Sequence, residues 1–440
     1  MGVCMVWSVC LLGEGVDGVT QRIDLLALGA IPSPNDIDEI GVTQTTGRRP
    51  LWELQQAVVA LQEAALRAAA KQRTATTSDI TLKDYRLRKV QTLFGTVSLR
   101  VPRLVNQGRI ESVLPTSCGA RSTREFDDLR NKLSAWMSFR SAMALLGEMY
   151  PVEDGKSAQT AMRQVAIAAE RQDNAPPCDV SLDDARIALP LDTTFVRARD
   201  TDGHRSLEIL VGAVSQGAEP IRYFAAPFKQ KGNCVRLGRA APAACGTGEI
   251  EAFSDSARSG RAMAKSIDVP AKPISDWFHL AVRIRHAISV ADALEASTES
   301  IARANEAVQA SLRVMRTELW KGDITAVART QREIRPHLKK HSDEPHSSPP
   351  LKRIKKLRTA MKKLGTYARN ADARIVDYCT RKIEGKRLGT SVVEGAAEFI
   401  VNARMAKSQH MRWTSKGAYN LLQVRTANIN DRLLEAKHAA

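Results

Sequence analysis

Hydrophobic and polar positions along this chain follow two different periods, and the places where the period changes mark out its elements. Val6–Leu11 alternates apolar and polar side chains, which suits a short strand better than a leader. Residues 1–45 therefore read as a small strand-and-loop region ending in the turn-rich stretch Thr45–Pro50. Over 51–72 the spacing becomes helical, with Leu51, Leu54, Val58, Leu61 and Ala65 along one side. A hairpin is expected around Gly95, because Val97, Leu99 and Val101 alternate with Ser98 and Arg100. From about 123 the helical period returns. Leu129, Leu133, Trp136, Met143 and Leu146 form a stripe that stops at Tyr150–Pro151, and a second helix keeps Ala161, Val165 and Ala168 inward. Two such helices fit a helix-turn-helix or an ordinary helical hairpin equally well. Residues 173–184 read as a linker.

Four β-rich segments follow, at 186–198, 205–215, 221–228 and 249–256, the first three spaced as consecutive hairpins. After Pro273 the pattern is helical to about 336, and the polar, proline-bearing stretch 341–350 interrupts it. In 351–363, Leu351, Ile354, Leu357 and Met361 make an apolar stripe opposite a basic face that holds Lys352, Arg353, Lys355 and Lys356. Such a face is either merely solvated or in contact with phosphate.

Composition narrows the partners. At 440 residues the chain exceeds one compact core, so two to four domains are expected. A formal charge of +17 favours a polyanion, since each phosphate neutralised releases counterions. DNA, RNA and an anionic membrane surface all satisfy that. No apolar run is long enough to span a bilayer, so no membrane partner is expected. Seven cysteines, an odd number with no C-x-x-C pair, read as reduced thiols in a cytoplasmic protein.

Three carboxylates stand where chemistry is expected. Asp192 interrupts an apolar strand, where a charge is costly unless it is paired, metal-bound or facing a cleft. Asp255 falls where the fourth strand gives way to a turn, and Glu394 lies on a later helix with Val393, Ala397 and Ile400 beside it. Carboxylates on a first strand, a fourth strand and a later helix are what an RNase H-like nuclease core needs, because phosphoryl transfer by two metals uses hard oxygen ligands. Plainer readings stand beside these. Asp192 pairs with Arg197 or caps a turn; Asp255 makes an Asx turn; Glu394, three residues after Ser391, closes a capping box.

The order of motifs resembles the ISKra-type insertion-sequence transposases, relatives of the Mutator-like DDE group. Residues 82–104 are similar to the hairpin region of that family, 114–152 to its helical DNA-binding segment, and 274–287 to its D-x-x-H element. The most specific likeness is the stretch 391–425, with its V-V-E, its arginine-lysine pattern and its M-R-W. Thr193 and Ser256 stand where relatives often carry glycine, and Cys118 stands alone where many have a pair.

The resemblance implies Asp192, Asp255 and Glu394 as catalytic ligands of two Mg2+ or Mn2+ ions, with Asp276 and His279 in support. His279 as a structural histidine at a helix start is the other reading. Arg404, Lys407, Arg412 and Trp413 would meet DNA, although Trp413 suits a core equally well. The expected architecture is a multidomain α+β protein. A hairpin region (1–110) and a helical DNA-binding region (111–180) precede an RNase H-like α/β core (181–285 and 386–440), which is split by an all-helical insertion with a basic face (286–385). The expected partners are the terminal inverted repeats of a mobile element and its target DNA, bound by a homo-oligomer in the bacterial cytoplasm at the nucleoid. The alternative is a non-catalytic, repurposed DNA-binding protein.

Overall fold

In this protein, a computed structural model describes residues 6–14, 20–30, 44–114, 121–150, 158–174, 187–199, 205–216, 219–228, 250–255, 262, 273–343, 349–369, 375–405 and 411–439. The described residues form a mixed α and β structure with three separate sheets. Contacts divide the chain into two compact units, Met1–Val165 and Ala166–Ala440. Among the described residues, no helix is long and apolar enough to cross a membrane. The expected linker at 173–184 and most of the cysteines lie outside the described residues; Cys10 and Cys379 are free thiols.

In the first unit, β1 (Val6–Glu14) and β2 (Thr20–Ala30) pair antiparallel, and α1 (Gln44–Thr76) follows. The hairpin of β3 (Ile80–Thr92) and β4 (Gly95–Asn106) extends to β5 (Arg109–Ser112). Val97 and Val101 are buried while Ser98 and Arg100 are exposed, as their alternation requires. Helix α1 departs from expectation twice. It runs straight through the turn expected at 45–50, because an early proline removes only one ladder bond and Arg48 donates to the carbonyl of Glu148. It also buries a different face. Leu51, Val58 and Leu61 stay exposed, while Leu66, Ala69 and Ala70 pack on Ile80, Leu104 and Val113. Glu63 fixes this orientation by accepting the backbone N–H of Arg100 at 2.5 Å.

The helix expected from 123 to 150 is two helices, α2 (Arg124–Trp136) and α3 (Phe139–Met149). Met137 is extended and Ser138 caps α3, its hydroxyl accepting the Ser141 N–H at 3.0 Å. Helix α4 (Ala158–Asn174) buries Ala161 and Val165 as expected.

The second unit is built on one five-stranded sheet. Strands β6 (Ile187–Arg197), β7 (Ser206–Gln216) and β8 (Glu219–Pro227) are antiparallel neighbours; β9 (Ile250–Ser254) joins β6 in parallel, and β10 (Ile274–Ser275) joins β9 in parallel. The order across the sheet is β10-β9-β6-β7-β8. Strand β10 was not legible in the sequence, since two residues carry no period.

Helices α5 (Trp277–Asp292), α6 (Glu299–Trp320), α7 (Ala326–Asp343), α8 (Pro349–Arg369) and α9 (Tyr378–Ile383) come next. Then follow α10 (Ser391–Ala396), a π-helical turn (Ala397–Asn402), α11 (Ala403–Met405) and α12 (Ser415–Ala439). Residues on β6 alternate between two cores, as the period of a strand demands. Ile187, Leu189 and Leu191 pack with Leu210, Phe224 and Tyr419, the last from α12. Ala188 packs with Phe253, Ile274 and the apolar faces of α5–α9. By the same alternation Asp192 lies on the face of Ala188.

Candidate active site

Strand register brings the aspartates to one level. Leu191 pairs with Ser254, and Ser254 pairs with Ser275. The next residues are Asp192, Asp255 and Asp276, so all three follow matched positions on neighbouring parallel strands, spaced about 4.8 Å apart. Asp192 lies midway along β6, while Asp255 and Asp276 lie just past the ends of β9 and β10, and such strand ends are where open sheets hold their ligands.

Asp192 is half-buried and accepts the N–H of Thr193 at 2.7 Å. Burial pushes its carboxyl above the usual carboxylate range. The Thr193 N–H opposes that, Asp255 adds to it, His279 opposes it, and Glu394 adds to it again. Charges act on one another this way only over short distances, so three carboxylates and one imidazole share an electrostatic neighbourhood. Asp192 and Arg197 stand an odd number of residues apart on β6, so alternation puts them on opposite faces of the sheet. Asp255 is half-buried, and its backbone carbonyl accepts from the Tyr367 hydroxyl at 3.3 Å. That hydroxyl also lies 3.0 Å from Ser275 Oγ, so the end of α8 is tied to both parallel strand ends.

Asp276 has a different task. It is 1% exposed and caps α5 by accepting the Phe278 N–H at 2.6 Å. Its other oxygen accepts the Thr390 N–H at 2.8 Å and the Thr390 hydroxyl. Gly389 presses against the same carboxylate, and a Cβ there would sit 2.4 Å from Oδ1, so this close approach requires glycine. Thr390 is the N-cap of α10, the helix of Glu394. Asp276 therefore fastens that helix to the end of β10. One turn further on, His279 is partly buried, and its Nε2 has no hydrogen-bond partner among the described residues.

Glu394 is exposed, on a helix whose buried Val393 and Ala396 pack toward β6 and β7. The capping box expected as its plainer role does not form: Ser391 is already the first helical residue, and the cap, Thr390, makes no side-chain capping bond. The helix continues into the π-turn, whose i→i+5 pattern disturbs the carbonyl ladder. Arg425 of α12 meets that disturbance, donating from Nε to the Ile400 carbonyl at 2.6 Å and from Nη2 to the Phe399 carbonyl. Asn402 at the end of the turn accepts from the Thr194 hydroxyl at 3.3 Å, two residues beyond Asp192. Thr390, Gly389, Arg425 and Tyr367 were not singled out from sequence. The Gly389-Thr390 step, separated from the V-V-E by Ser391, was the local signal.

The cations expected at DNA divide. Lys352, Lys355, Lys356 and Arg412 are exposed. Arg353 donates to the Ala293 carbonyl at 2.9 Å and pairs with Glu295. Arg404 is 2% exposed, stacked 5.5 Å from the Trp413 ring, with its pKa lowered to about 10 by burial and then by Arg425. That corrects its assignment to a DNA-facing surface. Trp413 is 8% exposed and bridges Arg197 and Arg199 through its backbone, so the core reading holds for it. Lys407 lies outside the described residues.

The donors are chemically suited to a hard divalent cation: burial first, and then the neighbouring Asp255 and Glu394, make Asp192 resist ionisation, a tension that a cation relieves. Among the described residues, no three His, Cys, Asp or Glu side chains form a ready-made metal cluster. The constellation is open rather than a closed cage. No family model and no curated protein matches this chain.

Proposed function

We propose that the protein is a DDE-type DNA transposase with an RNase H-like catalytic core, acting on the ends of a mobile element. One arrangement carries the reading: Asp192 on β6 and Asp255 just past the end of the adjacent parallel strand β9 stand at one level, while the helix of Glu394, more than a hundred residues later, packs against β6. The strand order supports it, with three antiparallel strands followed by two parallel ones added on the side of the first. So does the formal charge of +17.

In this reading Asp192, Asp255 and Glu394 hold two Mg2+ or Mn2+ ions. Bound there, the ions would make water or a 3′-hydroxyl nucleophilic and stabilise the leaving oxygen. Asp192 and Asp255, rooted in strands, set the floor of the site. Glu394 closes it from a helix held by Asp276, and its exposure leaves the approach open to a DNA strand. His279, whose Nε2 has no hydrogen-bond partner among the described residues, would hydrogen-bond a phosphate oxygen. The protein would bind terminal inverted repeats, hydrolyse one phosphodiester and direct the freed hydroxyl at target DNA, as an oligomer on paired ends. A non-catalytic DNA-binding protein is the second reading, favoured by the lack of a ready-made metal cluster among the described residues.

Cleavage of DNA carrying the element ends, with Mg2+ or Mn2+, separates the two when wild type is compared with Glu394→Gln. Metal-dependent nicking that vanishes in the variant, with binding kept, is the expected result. Equal binding with no nicking by either protein would overturn the catalytic reading.

A further inference from the structure

Helices α7 and α8 flank an open groove of about 690 Å3, well away in sequence from the acidic site. Its floor is apolar, made by Ile334, Leu338 and Met361, all buried. Its walls carry Arg335 and Lys339 on α7 and Arg358 and Lys362 on α8, all four exposed and none paired with an acid among the described residues. Each pair is spaced i,i+4, so like charges repel along both helices as well as across the groove. No acidic side chain lines it. The floor is also fixed: Gln331 donates to the Met361 carbonyl at 2.6 Å, and a Cβ at Gly365 would lie 2.8 Å from that amide. The groove is thus a rigid, amphipathic, strongly cationic slot.

We propose that this groove binds an unpaired stretch of DNA strand, with phosphates on the four cations and a base on the floor of Ile334, Leu338 and Met361. A base held in a duplex keeps its faces in the stack and cannot reach such a floor, whereas an unpaired base can. The volume is that of a small-ligand site. A strand is preferred to a free nucleotide because the exposed cations continue past the groove, at Lys340, Lys355 and Lys363. The proposal rests on the reading that DNA is the partner, and not on catalysis.

Fluorescence anisotropy of the full chain with a labelled oligothymidine, over a salt series, tests it. Arg358→Glu/Lys362→Glu is expected to weaken single-strand binding at least about tenfold and to flatten the log–log salt slope by about 1.4, two phosphate contacts at about 0.7 each. An iododeoxyuridine-substituted oligomer should cross-link to peptides covering 331–339 or 358–362, a readout that does not depend on the variant folding. Unchanged affinity in the variant with cross-links elsewhere would overturn the proposal. So would duplex binding equally lost in the variant, or displacement of the oligomer by stoichiometric ATP. Metal-dependent nicking by a variant that binds normally would end this inference and leave the transposase reading standing. Groove-dependent binding without nicking by wild type would do the reverse.

Discussion

Replacing Asp276 by asparagine tests the central structural argument, because it keeps size and shape and removes one acceptor. In the protein one carboxylate oxygen serves the Phe278 N–H and the other serves both donors of Thr390. Asparagine offers a single acceptor oxygen, so its NH2 must face donors on one side or the other. If it faces Phe278, α5 loses its cap, at about 1 kcal/mol. If it faces Thr390, two buried donors lose their partner, at about 1–3 kcal/mol for each group left unsatisfied. Repulsion between facing N–H groups adds to either outcome, so a loss of about 2–4 kcal/mol is expected in urea titration. Such a loss is large against a total stability of about 5–15 kcal/mol. Thr390→Val removes only the hydroxyl and should cost about 1 kcal/mol, and the double variant should cost less than the sum. Because Thr390 begins the helix of Glu394, nicking should fall about a hundredfold under conditions where both proteins are folded, with DNA binding kept. A stability change under about 0.5 kcal/mol, or additive single and double variants, would refute the idea that Asp276 is the fastening point.

Asp192→Asn should abolish metal-dependent nicking yet raise the melting temperature in metal-free buffer, because it removes a charge disfavoured first by burial and then by Asp255 and Glu394. The same burial, with that like charge, fixes the pH dependence. A carboxyl whose folded pKa lies above its unfolded value destabilises the fold progressively as pH rises from the ordinary carboxylate range through the raised value, and this slope should be absent in the asparagine variant. A variant that melts lower than wild type in EDTA at every pH would contradict this account. Arg425→Met should lose about 2–4 kcal/mol, since the carbonyls of Phe399 and Ile400 lose their buried donors, and chemical denaturation measures it directly. If Arg425→Met is as stable as wild type, the π-turn does not depend on that guanidinium.

How much of this was legible follows from where periodicity carries information. The strands of the second unit were readable because β6–β8 are long and largely apolar. Their turns also stood out, although no pattern announced that β9 and β10 run parallel to β6. Helix α1 misled because it has two apolar sides. The periodic stripe Leu51, Leu54, Val58, Leu61 and Ala65 is real, but Leu66, Ala69 and Ala70 are what β3 and β4 cover. Arg404 misled for a related reason. The resemblance grouped it with cations that meet DNA, and only the folded chain shows it stacked on Trp413 and screened from solvent. The basic run of α8 was seen as one face. In the structure it is divided among an ion pair at Arg353, a solvent-facing set at Lys352, Lys355 and Lys356, and a groove-facing pair at Arg358 and Lys362.

The three aspartates show most clearly what sequence can and cannot say about such a site. All three occupy the same level on adjacent parallel strands, so spacing and residue type alone would rank them as equals. Their surroundings separate them. Asp276 meets three donors, which offset the cost of burying a charge and leave it little reason to seek a cation. Asp192 receives one N–H bond and faces two more carboxylates, so its charge is poorly compensated by the protein itself. A carboxylate whose acceptors are satisfied is a fastening, and one surrounded by like charge favours a cation. By that criterion Asp276 contributes rigidity, while His279 Nε2 has no hydrogen-bond partner among the described residues. In the proposed reading, metal ions would be left to Asp192, Asp255 and Glu394.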